Sequence, residues 1–151
     1  MNDPNRLSGT RTYLAGAMDR VSDGGVGWRQ RITPTLEGFG VTVLDPCDKP
    51  ALMGIEDKGT RAKIESLKTA GDYDTIREKY RVIRTLDLRC VDISDFIVAS
   101  IDVDVHACGT YEEISVANSQ KNLSLYGVGR ESTELQTGSF SCFLISIYLA
   151  L

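Results

Sequence analysis

Histidine is nearly absent from this chain of 151 residues: there is one, and only four cysteines, Cys47, Cys90, Cys108 and Cys142, stand far apart with no C-x-x-C pair. That scarcity argues against a zinc site, which needs clustered thiolates and imidazoles. Scattered cysteines also argue against a disulfide framework and suit free thiols in a reducing compartment. No apolar run reaches the length that spans a bilayer, and the apolar stretch Phe140 to Leu151 is too short to do so. The first residues lack the apolar core of a signal peptide. A cytoplasmic protein with no membrane attachment is expected. There is no basic excess either. The net charge of -4 disfavours a nucleic-acid polymer as partner, because phosphate backbones are held by clustered Lys and Arg.

What remains is the composition of one globular domain, with 42% apolar and 25% charged residues. Residues 1–10 are polar and read as a flexible arm, and residues 11–151 as a single α/β domain whose tail, 127–151, has no assigned form. Arg11 to Ala15 reads as a first strand ending at Gly16. Asp19 to Gly27 is a glycine-rich loop without the G-x-G-x-x-G fingerprint. Trp28, Ile32 and Leu36 recur at helical spacing, with Pro34 either interrupting that helix or marking a restart. Val41 to Leu44 is a second strand. The Asp45-Pro46 that follows suits either a ligand contact at a strand end or a turn.

Helices are expected over Thr60 to Ala70 and from Asp74 to about Val91. The stripe of the second runs Ile76, Tyr80, Ile83, position 87, Val91, and position 87 is Asp. A carboxylate on a buried stripe is costly unless it is paired or faces a cavity. Asp87 is therefore a site candidate, with a salt bridge to Arg84 or Arg89 as the plainer reading. Phe96 to Ile101 is apolar without alternation, as in a parallel strand covered on both faces. Asp102 and Asp104 follow. Cys108-Gly109-Thr110 then opens a helix from Tyr111 to about Gln120, and Leu123 to Tyr126 reads as a further strand.

This alternation predicts an α/β, doubly wound, flavodoxin-like parallel sheet of about five strands with helices on both faces. In such a sheet Gly16, Asp45, Asp102 and Glu113 fall along the edge formed by the strands' carboxyl ends. Glu113 has a structural reading too: Thr110-x-x-Glu113 matches the S/T-x-x-E capping box. A glutamate in the first helical turn would also feel the positive end of the helix dipole, which favours its ionised form.

Three segments, T-Y-L-A-G-A-M at 12–18, D-L-R-C-V-D-I-S-D at 87–95 and C-G-T-Y-E-E-I-S-V-A at 108–117, resemble the nucleoside 2-deoxyribosyltransferase-like family. The resemblance covers roughly residues 11–126. It implies cleavage or transfer of the N-glycosidic bond of 2′-deoxynucleosides, with Glu113 as nucleophile and Asp87 as the second catalytic carboxyl group. It further implies substrate contacts from Tyr13, Gly16, Asp45, Asp102, Asp104 and Gly109. No metal or organic cofactor is implied. The partner is a small nucleoside or nucleotide, and a neighbouring subunit of a homo-oligomer often completes the pocket. Two alternatives stay open: a deoxynucleoside 5′-monophosphate hydrolase, for which Arg20, Ser22 and Arg29 are phosphate candidates, and a non-catalytic nucleotide-binding module.

Overall fold

The computed structural model describes residues 5–48, 58–120 and 123–129. Four parallel strands, β1 (Arg11–Gly16), β2 (Thr42–Leu44), β3 (Phe96–Asp102) and β4 (Leu123–Gly129), lie in the order β2-β1-β3-β4. Helix α1 (Val26–Gly38) connects β1 to β2, α2 (Lys58–Ala70) and α3 (Tyr73–Asp92) connect β2 to β3, and α4 (Cys108–Ser119) connects β3 to β4. The chain winds one way from β1 to β2 and the other way from β1 to β3. Keeping one crossover hand then requires the two sets of helices to lie on opposite faces.

The side chains obey that requirement. Strand residues alternate between faces. Leu14, Phe96 and Val98 meet Trp28, Ile32 and Leu36 of α1 on one face. Tyr13, Ala15, Ile97 and Ala99 meet Val91 of α3 and Ala117 of α4 on the other. Leu14 and Ile97 are completely enclosed, so truncating either to Ala is expected to cost about 2–5 kcal/mol. The sheet is consistent with a flavodoxin-like fold. Among the described residues it has four strands, not five, and the segment from 130 onward, including Phe140 to Leu151, lies outside them.

Several boundaries differ from the sequence reading for physical reasons. Helix α1 is continuous through Pro34, because Ile32 and Leu36 on either side are both held against the sheet. It starts earlier than expected, where Asp23 accepts hydrogen bonds from the Gly25 and Gly27 amides, each at 2.8 Å. Residues 5–10, expected as a loose arm, bond to the turn after α1, with the Gly9 amide donating to Gly40 O at 2.9 Å and Asn5 Nδ2 to Phe39 O at 2.8 Å. Asp95 fixes the start of β3 beside β1: its Oδ2 accepts from the Arg11 amide at 2.7 Å and its own amide donates to Arg11 O at 2.9 Å.

Candidate active site

Strands β1 and β3 are neighbours, but the chain leaves them toward opposite sides of the sheet. A crevice must open above their carboxyl ends. It holds a cavity of about 450 Å³, floored by Tyr13 and Gly16 of β1 and walled by α3 and the start of α4. Five of the residues proposed from sequence, Tyr13, Gly16, Asp87, Gly109 and Glu113, line it.

Glu113 is 5% exposed and Asp87 3%. Helix periodicity brings Asp87 onto the covered face of α3 with Ile83 and Val91. Both carboxylates converge on Arg84. Its Nη1 donates to Glu113 Oε1 at 2.8 Å and lies 3.7 Å from Asp87 Oδ2, while its Nη2 donates to Glu112 Oε2 at 2.6 Å. The Tyr13 hydroxyl donates to the same Oε1 of Glu113 at 3.2 Å. Both hydrogen bonds to the Glu113 carboxylate thus fall on Oε1, and Oε2 accepts none among the described residues.

Burial pushes the Glu113 carboxyl above its ordinary range, and the nearby charge of Asp87 adds to this. Arg84 and, to a smaller extent, the Tyr13 hydroxyl pull it back. The Tyr13 phenol is raised well above 10.0, first by burial and then by Glu113 and Asp87, so it remains a donor at neutral pH. Arg84 is held more firmly protonated than an ordinary guanidinium: burial opposes this, and its bonds to Glu113 and Glu112 more than offset it.

The capping-box reading of Glu113 fails. Helix α4 begins at Cys108 with Ala107 at its cap and no side-chain cap bond, so Cys108-Gly109-Thr110 is its first turn. Glu113 then sits one turn too far in to cap, and beyond the reach of the terminal dipole, which fades after the first turn. Arg84 and Tyr13 supply its compensation instead.

Asp45, Asp102 and Asp104 do not line the cavity. Asp45 Oδ1 accepts from the Cys47 amide at 2.8 Å and lies 3.5 Å from Arg29 Nε. Asp102 Oδ1 accepts from the Asp104 amide at 2.9 Å, closing its own turn. Arg29 is 1% exposed and committed to main-chain carbonyls: Nη2 donates to Gly16 O at 3.0 Å and Nη1 to Gly25 O at 2.6 Å, while Nε reaches Leu14 O at 3.3 Å. It locks the end of β1 to the start of α1 and is not free for a phosphate. Arg20 is exposed at the cavity wall; Ser22 is not part of that wall. Sequence reasoning missed Arg84 as a site residue, along with His106 and Cys108, which also line the cavity. The signal for Arg84 was its place three residues before Asp87 on one helix face.

No group of three or more metal-binding side chains exists among the described residues. No described helix is long and apolar enough to cross a membrane.

A doubly wound α/β domain with two buried carboxyl groups at its switch point is the class these features define. In the solved structures the fold is similar to a 2-desoxiribosyltransferase from Leishmania mexicana, with a TM-score of 0.52 and 18% sequence identity over 79% of this chain and 64% of that one. The chain thus spans less than two thirds of that protein, and the likeness is one of fold. No protein-family model matches the sequence, and no curated protein matches it.

Proposed function

We propose that this chain cleaves or transfers the N-glycosidic bond of 2′-deoxynucleosides, with Glu113 as nucleophile. The observation that carries the reading is a buried carboxylate on a ligand-sized cavity, anchored through one oxygen by Tyr13 and Arg84. A carboxylate desolvated without function would be selected against, and its free oxygen is what covalent glycosyl transfer uses. The likeness of fold to a desoxiribosyltransferase supports the same reading.

In this mechanism a lone pair on Glu113 Oε2 forms the bond to C1′ as the bond from C1′ to the base nitrogen breaks. The electron pair of that bond leaves with the base, which takes up a proton. The transition state is oxocarbenium-like. Water, or a ring nitrogen of a second base, then attacks C1′ and loses a proton, and Glu113 returns as carboxylate. Asp87 is assigned the second carboxyl role, holding the sugar or passing the departing base its proton. No cofactor enters this scheme, and the partner is a small nucleoside rather than a polymer.

A nucleoside 5′-monophosphate is a second reading, favoured by Arg20. A second hollow of about 320 Å³ shares Arg20, Asp19 and Tyr80 with the cavity wall and holds Lys68 of α2, which is paired with Glu65. Competition by inorganic phosphate would favour it over the nucleoside.

Chromatography of incubations with a panel of deoxynucleosides and their monophosphates, with and without a second free base, tests the proposal. Base release that stops in Glu113→Ala is expected, with a new nucleoside appearing only when the second base is present if the chain is a transferase. Unchanged turnover in a folded Glu113→Ala protein would rule out the nucleophile.

A further inference from the structure

One guanidinium in this crevice serves three carboxylates on two helices. Arg84 rises from α3, one turn before Asp87, and forks across to α4, where Nη1 takes Glu113 and Nη2 takes Glu112. Glu112 is half-exposed while Glu113 is buried, so the fork spans the boundary between solvent and cavity. Gly109 lines the same spot: a Cβ there would come within 3.3 Å of Arg84 Nη1. The first turn of α4 is therefore bare where the guanidinium must pass. A planar fork with two separate donors suits two carboxylates held at once, as a single ammonium does not.

We propose that Arg84 is the positioning residue of this site: by gripping Glu113 through Oε1 and bracing itself on Glu112, it fixes the rotamer that leaves Oε2 for the ligand. This rests on the assignment of Glu113 as nucleophile. Arg84 acts through Glu113 and touches no reacting atom. Tyr13 alone, at 3.2 Å and through a single hydroxyl, would anchor Oε1 less firmly.

The grip also decides the charge of the nucleophile. The groups facing Glu113 are Tyr13 from β1, Arg84 and Asp87 from α3, and Glu112 on α4 itself. Arg29, His106, Asp19 and Arg20 share the cavity wall with Tyr80 and Cys108. Burial and Asp87 push the Glu113 carboxyl up, and Arg84 is the strongest influence pulling it down. Removing Arg84 would leave a buried carboxylate that takes up a proton at higher pH and loses its nucleophilic form.

The test uses the full chain with Arg84→Met, Arg84→Gln and Arg84→Lys. Carbon NMR of chains labelled at the glutamate carboxyl, with Glu113 assigned by its loss in Glu113→Gln, follows the titration of Glu113 without any turnover. A rise of the midpoint by roughly one unit or more is expected in Arg84→Met, the scale that a neighbouring opposite charge supplies. Arg84→Lys should restore most of the midpoint but not the rate, because it keeps the charge and loses the fork. In base release from 2′-deoxynucleosides, kcat should fall about 10²-fold in Arg84→Met, the scale of a misplaced catalytic group, and its acidic limb should move up in pH. The affinity of these variants for the same nucleosides, measured in a Glu113→Gln background, should change little.

Should Arg84→Met not fold, Arg84→Gln carries the same titration. An unmoved Glu113 midpoint in a folded Arg84 variant overturns the proposal, as does full activity in Arg84→Met. If the unaltered chain releases no base from any deoxynucleoside or monophosphate, the glycosidic reading fails instead. The titration still reads the grip of Arg84 on Glu113 in that case.

Discussion

The Tyr13 hydroxyl donates to Glu113 Oε1 across a separation of 100 residues, joining β1 to the second turn of α4. Tyr13 is 1% exposed, so this bond lies where water does not compete for it. A hydrogen bond to a charged group contributes about 1.5–3 kcal/mol, and Tyr13→Phe is expected to slow base release by roughly 10- to 100-fold on that scale. Because the hydroxyl favours the ionised form of Glu113, its loss should also move the acidic limb of the rate profile to higher pH. Tyr13 itself stays protonated well above 10.0 and should produce no alkaline loss below that value. A pH-rate profile of Tyr13→Phe whose acidic limb stays in place would remove this bond from the mechanism.

The raised Glu113 carboxyl has a consequence for stability. Its folded-state pKa lies above the ordinary value of 4.5, so the native state binds this proton more tightly than the unfolded chain. That group then favours folding below 4.5, loses this contribution as pH rises through the folded pKa, and leaves the native state relatively weaker above it. Glu113→Gln keeps the shape and lets its carbonyl accept from Tyr13 and Arg84. It is expected to be inactive yet at least as thermostable as the unaltered chain at pH 7, with that advantage shrinking as pH falls toward 4.5. Thermal melts of both proteins between pH 4 and pH 8 measure the crossover. A Glu113→Gln protein much less stable at pH 7 would show that Glu113 is a structural anchor instead.

Asp87 and β3 were legible because each breaks or follows a local period. The stripe Ile76, Tyr80, Ile83, Asp87, Val91 announces a carboxylate on a covered face, and Ile83, Asp87 and Val91 are indeed buried on α3. Phe96 to Ile101 reads as a strand covered on both sides; Phe96 to Ala99 are buried and Ser100 and Ile101 partly so. The convergence of Arg84 on Glu112 and Glu113 was not legible, because it depends on how α4 sits beside α3 and no sequence spacing encodes that. Asp45, Asp102 and Asp104, expected as substrate contacts from the resemblance and from strand-end position, lie off the cavity wall: short side chains next to free amides close local turns, as Asp102 does with Asp104 and Asp45 with Cys47. Arg29, a phosphate candidate by sequence, instead turns inward to the main-chain carbonyls of Leu14, Gly16 and Gly25, an arrangement that no sequence spacing encodes.

Arg29 is the group whose removal should damage the fold most. It is a buried cation whose partners are the carbonyls of Leu14, Gly16 and Gly25, with Asp45 at 3.5 Å and the ring of Trp28 at 4.7 Å. Arg29→Met leaves these carbonyls without this donor and Asp45 without its counter-charge, in a site too enclosed for easy hydration. A loss of about 3–5 kcal/mol is expected from breaking one side of such a buried ion pair. Urea unfolding measures it; a loss under about 1 kcal/mol would mean that Arg29 packs there without tying the strand end.

Gly16 stands where the sole tryptophan can report on the crevice. A Cβ at this position would lie 2.8 Å from Cζ2 of Trp28, closer than such contacts permit. Gly16→Ala must therefore displace the indole, at a cost of about 1–3 kcal/mol for overpacking. Since the chain has one Trp, its emission spectrum reads that displacement directly. The expected result is a shifted emission maximum with reduced stability and weakened nucleoside binding. An unchanged spectrum would mean that the β1 end moves in place of the ring.

Cys108 offers a way to see ligand binding apart from chemistry. It opens α4, is exposed, and lines the cavity that holds Glu113, whereas Cys47 and Cys90 are half-buried. Iodoacetamide should label Cys108 fastest of these three, as peptide mapping by mass spectrometry would show. A nucleoside occupying the cavity covers that thiol, so labelling should slow by about tenfold at a concentration roughly ten times its Kd. The same protection is expected in Glu113→Gln, which cannot turn the nucleoside over. Protection in that variant together with base release in the unaltered chain describes an enzyme, and protection without base release in either describes a binding module. A labelling rate that no deoxynucleoside or monophosphate alters would mean that the cavity beside Cys108 takes a different class of ligand, and would remove the nucleoside from both readings.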